Sequence, residues 1–189
     1  MGGSSTGRTR SVRVRRYYEE VGAPKSAAVA SKADPATEGD LLALERQVCF
    51  ALSVASRSIL AVYRPLLEPM GLTHPQYLVM LALWGESPLS VKQLGALLQL
   101  DSPTLSPLLK RLEAAQFVTR TRRLDDERVL DVELTPAGRQ LRKQALAIPP
   151  AVIEKLGIDI GRLQELHTAL TELIAAARLA GVDPSSITP

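Results

Sequence analysis

Residues 89–112 read LSVKQLGALLQLDSPTLSPLLKRL, which is the pattern of two short helices joined by a turn. The first helix is predicted to begin at Ser90, and its apolar residues recur at steps of three and four, the spacing of one buried face. The second is predicted to have Ser102 as its cap and Pro103 as its first residue, since a first turn leaves N–H groups unbonded anyway. Its outer face is polar and basic. The pair predicts a helix-turn-helix, whose second helix enters the major groove of DNA.

A basic hairpin is predicted immediately after this second helix. Residues 118–123 (VTRTRR) are rich in β-branched side chains, and residues 130–134 (LDVEL) alternate apolar with acidic residues. The polar segment 124–128 lies between them. Such a hairpin is typical of a wing, whose tip reaches the minor groove, where arginine is attracted by the negative potential. The predicted fold is therefore mainly α, a winged helix-turn-helix with N- and C-terminal dimerisation helices.

The candidate DNA contacts are side chains on the outer face of the second helix and on the hairpin. Clustered cations favour phosphate contact over a merely solvated surface, although not for each residue. Arg128 has an alternative role, because it could pair with Asp125 or Asp126 and brace the tip without touching DNA. The candidate DNA-binding residues are Ser102, Thr104, Ser106, Pro107, Lys110, Arg111, Arg120, Arg122, Asp126 and Arg128.

The composition permits these functions and excludes others. The net charge of +3 over 189 residues allows a polyanionic partner without requiring one. A single cysteine excludes an intrachain disulfide and a multi-cysteine metal site, and His74 and His167 are far apart, so we expect no metal and no cofactor. Neither an uninterrupted apolar run of membrane-spanning length nor a signal-peptide pattern occurs, so we expect a cytoplasmic protein without a membrane partner.

The chain divides into an extension and one folded domain. Residues 1–38 are rich in small residues and arginine, and we expect a disordered basic extension, either an arm that adds phosphate contacts or a loose tail. Residues 39–183 are the predicted winged helix domain, with its DNA-binding part at 89–135 and dimerisation helices at 40–67 and 136–180.

Helical periodicity defines the elements on either side of the winged segment. One long amphipathic helix is predicted from Asp40 to about Leu67, and a well-buried helix from Gln76 to Trp84. A further helix begins at 135–138, and the prolines at 149–150 are expected to break it. Leucines at heptad spacing over 161–179 have no partner inside so small a domain, which indicates a homodimer.

These elements, in this order, resemble the MarR family of dimeric transcriptional regulators over about residues 40–180. The local motifs that carry the resemblance are LDSPTLSPLLKRLE at 100–113, DDER at 125–128 and LTPAG at 134–138. Within the family the chain is most similar to the organic hydroperoxide sensors of the OhrR type, through QVCFAL at 47–52, YRPLL at 63–67 and LTHPQY at 72–77.

The resemblance implies a redox-sensing site. Cys49 takes the place of the peroxide-reactive thiol, and Tyr63 that of its hydrogen-bond partner from the second protomer. Several relatives have a second partner tyrosine where this chain has His74. Whether His74 or Tyr77 takes that role stays open.

The residues around Cys49 bear on this role independently. A lone cysteine in an apolar helix is usually a small core residue, but the apolar stripe passes through Val48 and leaves Cys49 on a flank. Arg46, one turn away on the predicted helix, would favour the thiolate that attacks peroxides. Tyr63 follows 14 residues later, about 21 Å along a helix, so a contact with Cys49 requires a second chain.

Three functions are compatible with these observations. The first is a repressor that senses organic hydroperoxides by oxidation of Cys49 and releases its operator, an inverted repeat in double-stranded DNA. The second is a MarR-type repressor that a phenolic or other small ligand releases, with Cys49 incidental. The third, a thiol peroxidase, is disfavoured because the chain has no resolving cysteine and no CxxC, so we expect no enzyme.

Overall fold

Helices account for most of this chain, and a small sheet joins them. The structure, a computed structural model, describes residues 44–123, 125–126 and 128–182. The predicted extension at 1–38 lies outside these residues. The elements in chain order are α1 (Val48–Leu67), α2 (His74–Gly85), β1 (Leu89–Ser90), α3 (Val91–Leu98), α4 (Ser102–Ala114), β2 (Val118–Arg122), β3 (Leu130–Leu134), α5 (Pro136–Ala145), α6 (Ile148–Leu156) and α7 (Ile160–Leu179).

The helix-turn-helix is formed by α3 and α4. Ser90 caps α3 in a reciprocal arrangement, in which its hydroxyl accepts from the Gln93 N–H at 3.2 Å and its own N–H donates to Gln93 Oε1 at 2.8 Å. The cap of α4 is Asp101, whose Oδ1 accepts from the Thr104 N–H at 2.9 Å. The predicted cap, Ser102, is wrong by one residue, because the carboxylate one position earlier makes the stronger, charge-assisted bond.

The wing has the predicted hairpin topology and adds one short strand. The sheet order is β1-β3-β2, and all neighbours are antiparallel. In the hairpin Val118 lies opposite Leu134 and Arg122 lies opposite Leu130. The two-residue strand β1, which periodicity does not predict, pairs Ser90 with Asp131 and so fixes the start of α3 beside the wing.

The core lies beneath the helix-turn-helix and is centred on α2. Met80 and Leu83 of α2 pack with Leu94 of α3, Leu109 of α4 and Val132 of β3, all at most 1% exposed. The burial predicted for 76–84 is confirmed on one side of the helix, whereas Leu78 (37%) and Leu81 (44%) are exposed. A capping box between Thr73 and Gln76 extends the helix back to His74.

The junction between the wing and α5 is closely packed. The Thr135 N–H donates to the Phe117 carbonyl at 3.1 Å, and the Thr135 hydroxyl accepts from the Gly138 N–H at 3.0 Å. The Trp84 indole N–H donates to the Gly138 carbonyl at 2.8 Å. Backbone groups of Phe117, Thr135 and Gly138 and the Trp84 side chain take part in these bonds, which connect the end of the hairpin to α5 and α5 to α2.

Two helix boundaries differ from the prediction. Helix α1 begins at Val48, not Asp40: residues 44–46 form one 3-10 turn, and Gln47 has an extended backbone (φ −78°, ψ 121°). Residues 40–43 lie outside the described chain. The prolines at 149–150 do not simply break a helix: α5 ends at Ala145, and they occupy the first turn of α6, where a missing N–H costs no hydrogen bond.

Helices α1 and α7 leave most of their apolar surface uncovered. Every described side chain from Val48 to Ser58 is exposed, and α7 has no buried residue. Residues 48–70 even meet the length and mean hydropathy (1.2) of a membrane span, although Arg57 and Arg64 interrupt them. The helix predicted at about 161–179 is confirmed as α7, and Leu166 on its predicted seam is 52% exposed. An apolar surface of this extent marks an interaction site.

Gly138→Ala should destabilise the protein. A methyl group at this position would lie far inside van der Waals contact of the Phe117 carbonyl oxygen, which the Thr135 N–H holds in place. We expect a loss of about 1–3 kcal/mol, typical of overpacking, in the free energy of unfolding by urea. The control is Gly85→Ala, whose added methyl has no atom within 4 Å. An equal effect of the two substitutions would contradict the packing at this junction.

Candidate nucleic-acid interface and thiol site

The outer face of α4 carries the predicted recognition residues. Ser102, Pro107, Lys110 and Arg111 are exposed, while Thr104 and Ser106 are half-buried. The opposite face, with Leu105, Leu109 and Leu112, is buried in the core. One polar and basic face is thereby presented on a rigid helix, which suits major-groove contact.

The wing tip presents Arg128 together with Asp126. The backbone N–H of Arg128 donates to Asp126 Oδ1 at 3.1 Å, and both side chains are exposed, as is Arg122 on β2. Among the described residues, no ion pair joins the Arg128 guanidinium to Asp125 or Asp126. Asp126 therefore shapes the tip through the backbone and leaves the guanidinium at the surface.

Two arginines of the wing are held by carboxylates of the same chain. Arg120 on β2 forms an ion pair with Glu113 of α4, in which Nε donates to Glu113 Oε2 at 2.9 Å. Arg123 donates to both oxygens of Asp131 at 2.8 and 2.7 Å. These hydrogen bonds lower the pKa of Glu113 and of Asp131 and raise that of Arg123. Arg120 thus fixes the hairpin against the recognition helix, and its predicted DNA contact stays a prediction.

A surface cleft of about 400 Å³ lies between α3 and the wing. We call it the wing-base cleft; its polar lining is Ser90, Lys92, Gln93, Arg123 and Arg128. Sequence reasoning missed Lys92, because only the pairing of β1 with β3 brings α3 beside Arg123 and Arg128. The available signal in the sequence was the basic residue itself, Lys92, at the start of a helix that precedes a wing.

Cys49 is the second residue of α1 and is exposed. Its carbonyl accepts from the Ser53 hydroxyl at 2.9 Å. The prediction that Arg46 and Cys49 lie on the same helix is wrong, because the extended residue Gln47 separates the 3-10 turn that contains Arg46 from α1. Cys49 is not a core residue of the described chain, but Val48 on the predicted apolar stripe is exposed as well, so the flank position of the cysteine stays a prediction.

Tyr63, His74 and Tyr77 are brought together where α1 meets α2. The Tyr63 ring contacts His74 edge-on with centroids 4.9 Å apart and lies 6.0 Å from the ring of Tyr77. Tyr77 is 3% exposed and belongs to the core, whereas Tyr63 and His74 are half-buried. Burial lowers the pKa of His74, so its imidazole is neutral at neutral pH. Cys49 lies at the other end of α1, about 21 Å from Tyr63 along the helix.

A cleft of about 450 Å³ opens beside this aromatic cluster. Leu60 and Leu72 form part of its apolar wall, His74 lines it, and Arg64 and Glu68 provide charges. Within the described parts of the chain, no group of three or more histidine, cysteine or acidic residues could hold a metal ion. The cleft therefore presents a partly apolar surface together with the His74 imidazole and the Arg64 guanidinium.

Comparison with known proteins extends over most of the chain. The model of the MarR family matches residues 72–130. The organic hydroperoxide resistance transcriptional regulator of Bacillus subtilis (strain 168) is 41% identical over 138 residues, covering 71% of this chain and 94% of that protein. AbfR of Staphylococcus epidermidis is 37% identical with a TM-score of 0.56 and covers 70% and 94%. Reduced AbfR bound to DNA is 38% identical with a TM-score of 0.57 and covers 69% and 94%.

Glu113→Gln should reduce stability at neutral pH and lose this effect in acid. Because the folded state lowers the Glu113 pKa, the pair with Arg120 stabilises the fold above the ordinary glutamate pKa of about 4.3, and this contribution declines as the pH falls from there through the lowered folded-state pKa. Urea midpoints at pH 7 and pH 3.5 measure the difference. Glu154→Gln is the control, since Glu154 has no ion-pair partner among residues the structure describes. A difference from wild type that is constant with pH would contradict the pairing.

Proposed function

The chain belongs to the MarR family of DNA-binding transcriptional regulators, and on that premise we propose that it is a homodimeric repressor that senses organic hydroperoxides through Cys49 and then releases its operator. Its relatives and its fold are those of regulators, not of enzymes. The observation that carries the proposal is the exposed position of the sole cysteine on a largely uncovered apolar helix.

The first step of the argument is the dimer. Helices α1 and α7 expose apolar side chains such as Val48 (65%), Leu166 (52%) and Leu173 (45%). Removing apolar surface from water is favourable by roughly 25 cal/mol per Å², and a two-fold pairing of one copy with another covers both helices at once. The dimerisation parts at 40–67 and 136–180 and the DNA-binding part at 89–135 are proposed on this basis. Because the proposed dimer covers the apolar surface of α1, we propose that the protein is cytoplasmic and that this helix spans no membrane.

The second step places the thiol. Cys49 and Tyr63 lie at opposite ends of α1, so they meet only if the α1 helices of two protomers run antiparallel. The start of one helix then lies against the end of the other, where the cleft of about 450 Å³ opens beside the partner's Tyr63 and His74. We propose that the partner's His74 accepts or donates the second hydrogen bond to the thiol, and that Tyr77 supports it from the core.

The third step is the chemistry. The Cys49 thiolate attacks an oxygen of the hydroperoxide, the O–O bond breaks, and the leaving alkoxide takes a proton, which gives a sulfenic acid and an alcohol. The sulfur is oxidised and the peroxide is reduced. With one cysteine per chain, a reversible product is a mixed disulfide with a small thiol or a sulfenamide with a backbone nitrogen.

The fourth step connects the thiol to DNA. A polar and bulkier sulfur species no longer fits its hydrogen bonds at the dimer interface, and the interface repacks. Repacking changes the separation of the two α4 helices, which must match half-sites about one helical turn apart in an inverted repeat. The predicted contacts on α4 and the wing, from Ser102 to Arg128, are proposed as the operator-reading surface.

A second candidate is a repressor that a small ligand releases. The cleft beside His74 favours it, because its apolar wall and Arg64 suit a phenolic or carboxylate-bearing molecule. In that case Cys49 is incidental. The two candidates differ in what happens when the thiol is removed.

Leu166→Glu with Leu170→Glu should convert the dimer into monomers or insoluble protein. Both residues lie on the α7 seam, and burying two carboxylates there is costly. Sedimentation at micromolar concentration measures the mass. The control carries the same charge on the opposite side of α7, Gln164→Glu with Thr168→Glu, where both residues are exposed, and it should remain dimeric. A monomeric wild type would overturn the dimer.

Cys49→Ser should bind DNA like the wild type and lose its response to organic hydroperoxide. Serine keeps the size of the side chain but offers no thiolate, so the interface survives and the oxidation does not. The measurement is binding to a duplex selected by the reduced wild-type protein, before and after one equivalent of cumene hydroperoxide, then after a reducing thiol. Release of DNA by the oxidised Cys49→Ser protein would refute the redox mechanism and favour the ligand-released repressor.

Two further variants test whether position matters. Adding Ser53→Cys to Cys49→Ser moves the only thiol by one helical turn on the same face. We expect no release, since the proposed antiparallel pairing places residue 49, and not residue 53, against the partner's cleft. Tyr63→Phe should leave DNA binding intact and blunt the response. A full response from the relocated thiol would mean that any exposed cysteine on α1 suffices.

A further inference from the structure

The wing-base cleft combines cations from two parts of the chain that are distant in sequence. Lys92 comes from the first turn of α3, and Arg123 and Arg128 come from the two sides of the hairpin tip. None of the described residues that line it is acidic. Arg123 is paired with Asp131, so the repulsion across this concave surface is between Lys92 and Arg128, and it is relieved when an anion occupies the cleft.

The charge available to an anion comes mainly from two of these residues. Arg123 is largely neutralised by Asp131, to which it donates two hydrogen bonds. Lys92 and Arg128 form no ion pair with any residue the structure describes. The backbone at the start of α3 contributes less, because the N–H groups of Ser90 and Gln93 are used in the capping box. The site therefore rests on side-chain cations.

The sheet register places this cleft at the base of the wing, beside the proposed DNA-reading surface. Strand β1 pairs only with Asp131 and Val132, at the end of β3 nearest the wing tip. The start of α3 is thereby held next to the point where the hairpin leaves the sheet. When α4 lies in the major groove and the wing tip in the adjacent minor groove, the sugar-phosphate strand that separates the two grooves passes between α4 and the wing tip.

We propose that the wing-base cleft binds one backbone phosphate of the DNA, with Lys92 and Arg128 as its two ligands. The inference rests on the proposed DNA-reading surface and adds a contact that carries no sequence information. It makes Lys92 a positioning contact that sets how deeply the wing enters the minor groove.

The test uses the full-length protein and a 30-base-pair duplex of arbitrary sequence, since a phosphate contact does not depend on an operator. Lys92→Gln should weaken binding about fivefold per bound protomer at 0.15 M salt and should make the log–log salt dependence shallower by about 0.9 per protomer. Lys92→Arg should restore the slope. Lys155→Gln is the control of equal charge, since Lys155 is exposed on α6, and it should retain the wild-type slope.

A second measurement identifies the source of the phosphate. On a duplex selected by the wild-type protein, neutral methylphosphonate at one backbone position per half-site should weaken the wild type more than Lys92→Gln, in which only Arg128 still contacts that position. Equal slopes for Lys92→Gln, Lys155→Gln and wild type would overturn the proposal. So would an equal effect of the methylphosphonate on the wild type and on Lys92→Gln.

These outcomes are independent of the redox proposal. Lys92→Gln should still release DNA after cumene hydroperoxide, because Lys92 lies far from Cys49 in the chain. Failure of the wild type to bind any duplex would refute the proposed function itself. Wild-type binding with an unchanged slope for Lys92→Gln would refute only the phosphate site.

Discussion

The burial of α2 is the constraint on which the rest of the structure depends. This helix contacts α1, α3, α4, α5 and β3, and its residues Val79, Met80 and Leu83 are at most 1% exposed. Its first turn carries His74 against Tyr63, and its last turn carries Trp84, which bonds to Gly138 beyond the wing. The proposed sensing site and the DNA-reading surface are therefore attached to the two ends of one buried helix. Any displacement at one end is transmitted by a packed element instead of a flexible linker.

The arginines of the proposed DNA-reading surface are of two kinds, those in ion pairs with carboxylates and those that are exposed. Arg120 and Arg123 are held by carboxylates, Glu113 and Asp131, and they fix the geometry of the hairpin. Others, such as Arg122 and Arg128, are exposed and remain available for phosphate. Holding part of the positive charge in internal pairs reduces the repulsion within a basic wing, and it orders the wing before DNA arrives. Less conformational entropy is then lost on binding.

Much of the fold could be predicted from the sequence because its signals are local. The helix-turn-helix and both hairpin strands follow from periodicity, and β3 has the predicted bounds. The errors arose where neighbouring residues compete for one role. Asp101 and Ser102 are both good caps, and the pattern does not decide between them. The prolines at 149–150 are as suitable for starting α6 as for ending α5, and periodicity alone cannot place the break at Gln47.

The candidate site was less predictable because its contacts are not local. Cys49 and Tyr63 could be named from the resemblance, but the uncovered surface around Cys49 is a property of packing, which the sequence does not display. Lys92 and Arg128 are separated by 36 positions and meet only through the register of β1 on β3. The pair between Arg120 and Glu113 likewise depends on how the hairpin leaves α4. Contacts of this kind, between residues far apart in the chain, cannot be predicted from the spacing of residues in the sequence.

The closely packed junction of Thr135, Phe117 and Gly138 has a consequence for the type of switch. Hydrogen bonds there join the hairpin to α5 and, through the Trp84 side chain, α5 to α2, so local melting of the wing would break them and a rigid-body displacement of the whole unit would not. In the proposed dimer, the quantity that an oxidised thiol would change is therefore the relative placement of the two DNA-binding units. Binding then depends on the helical phase of the two half-sites. Half-sites moved apart by about five base pairs face opposite sides of the duplex, and a rigid pair of DNA-binding units cannot bind both.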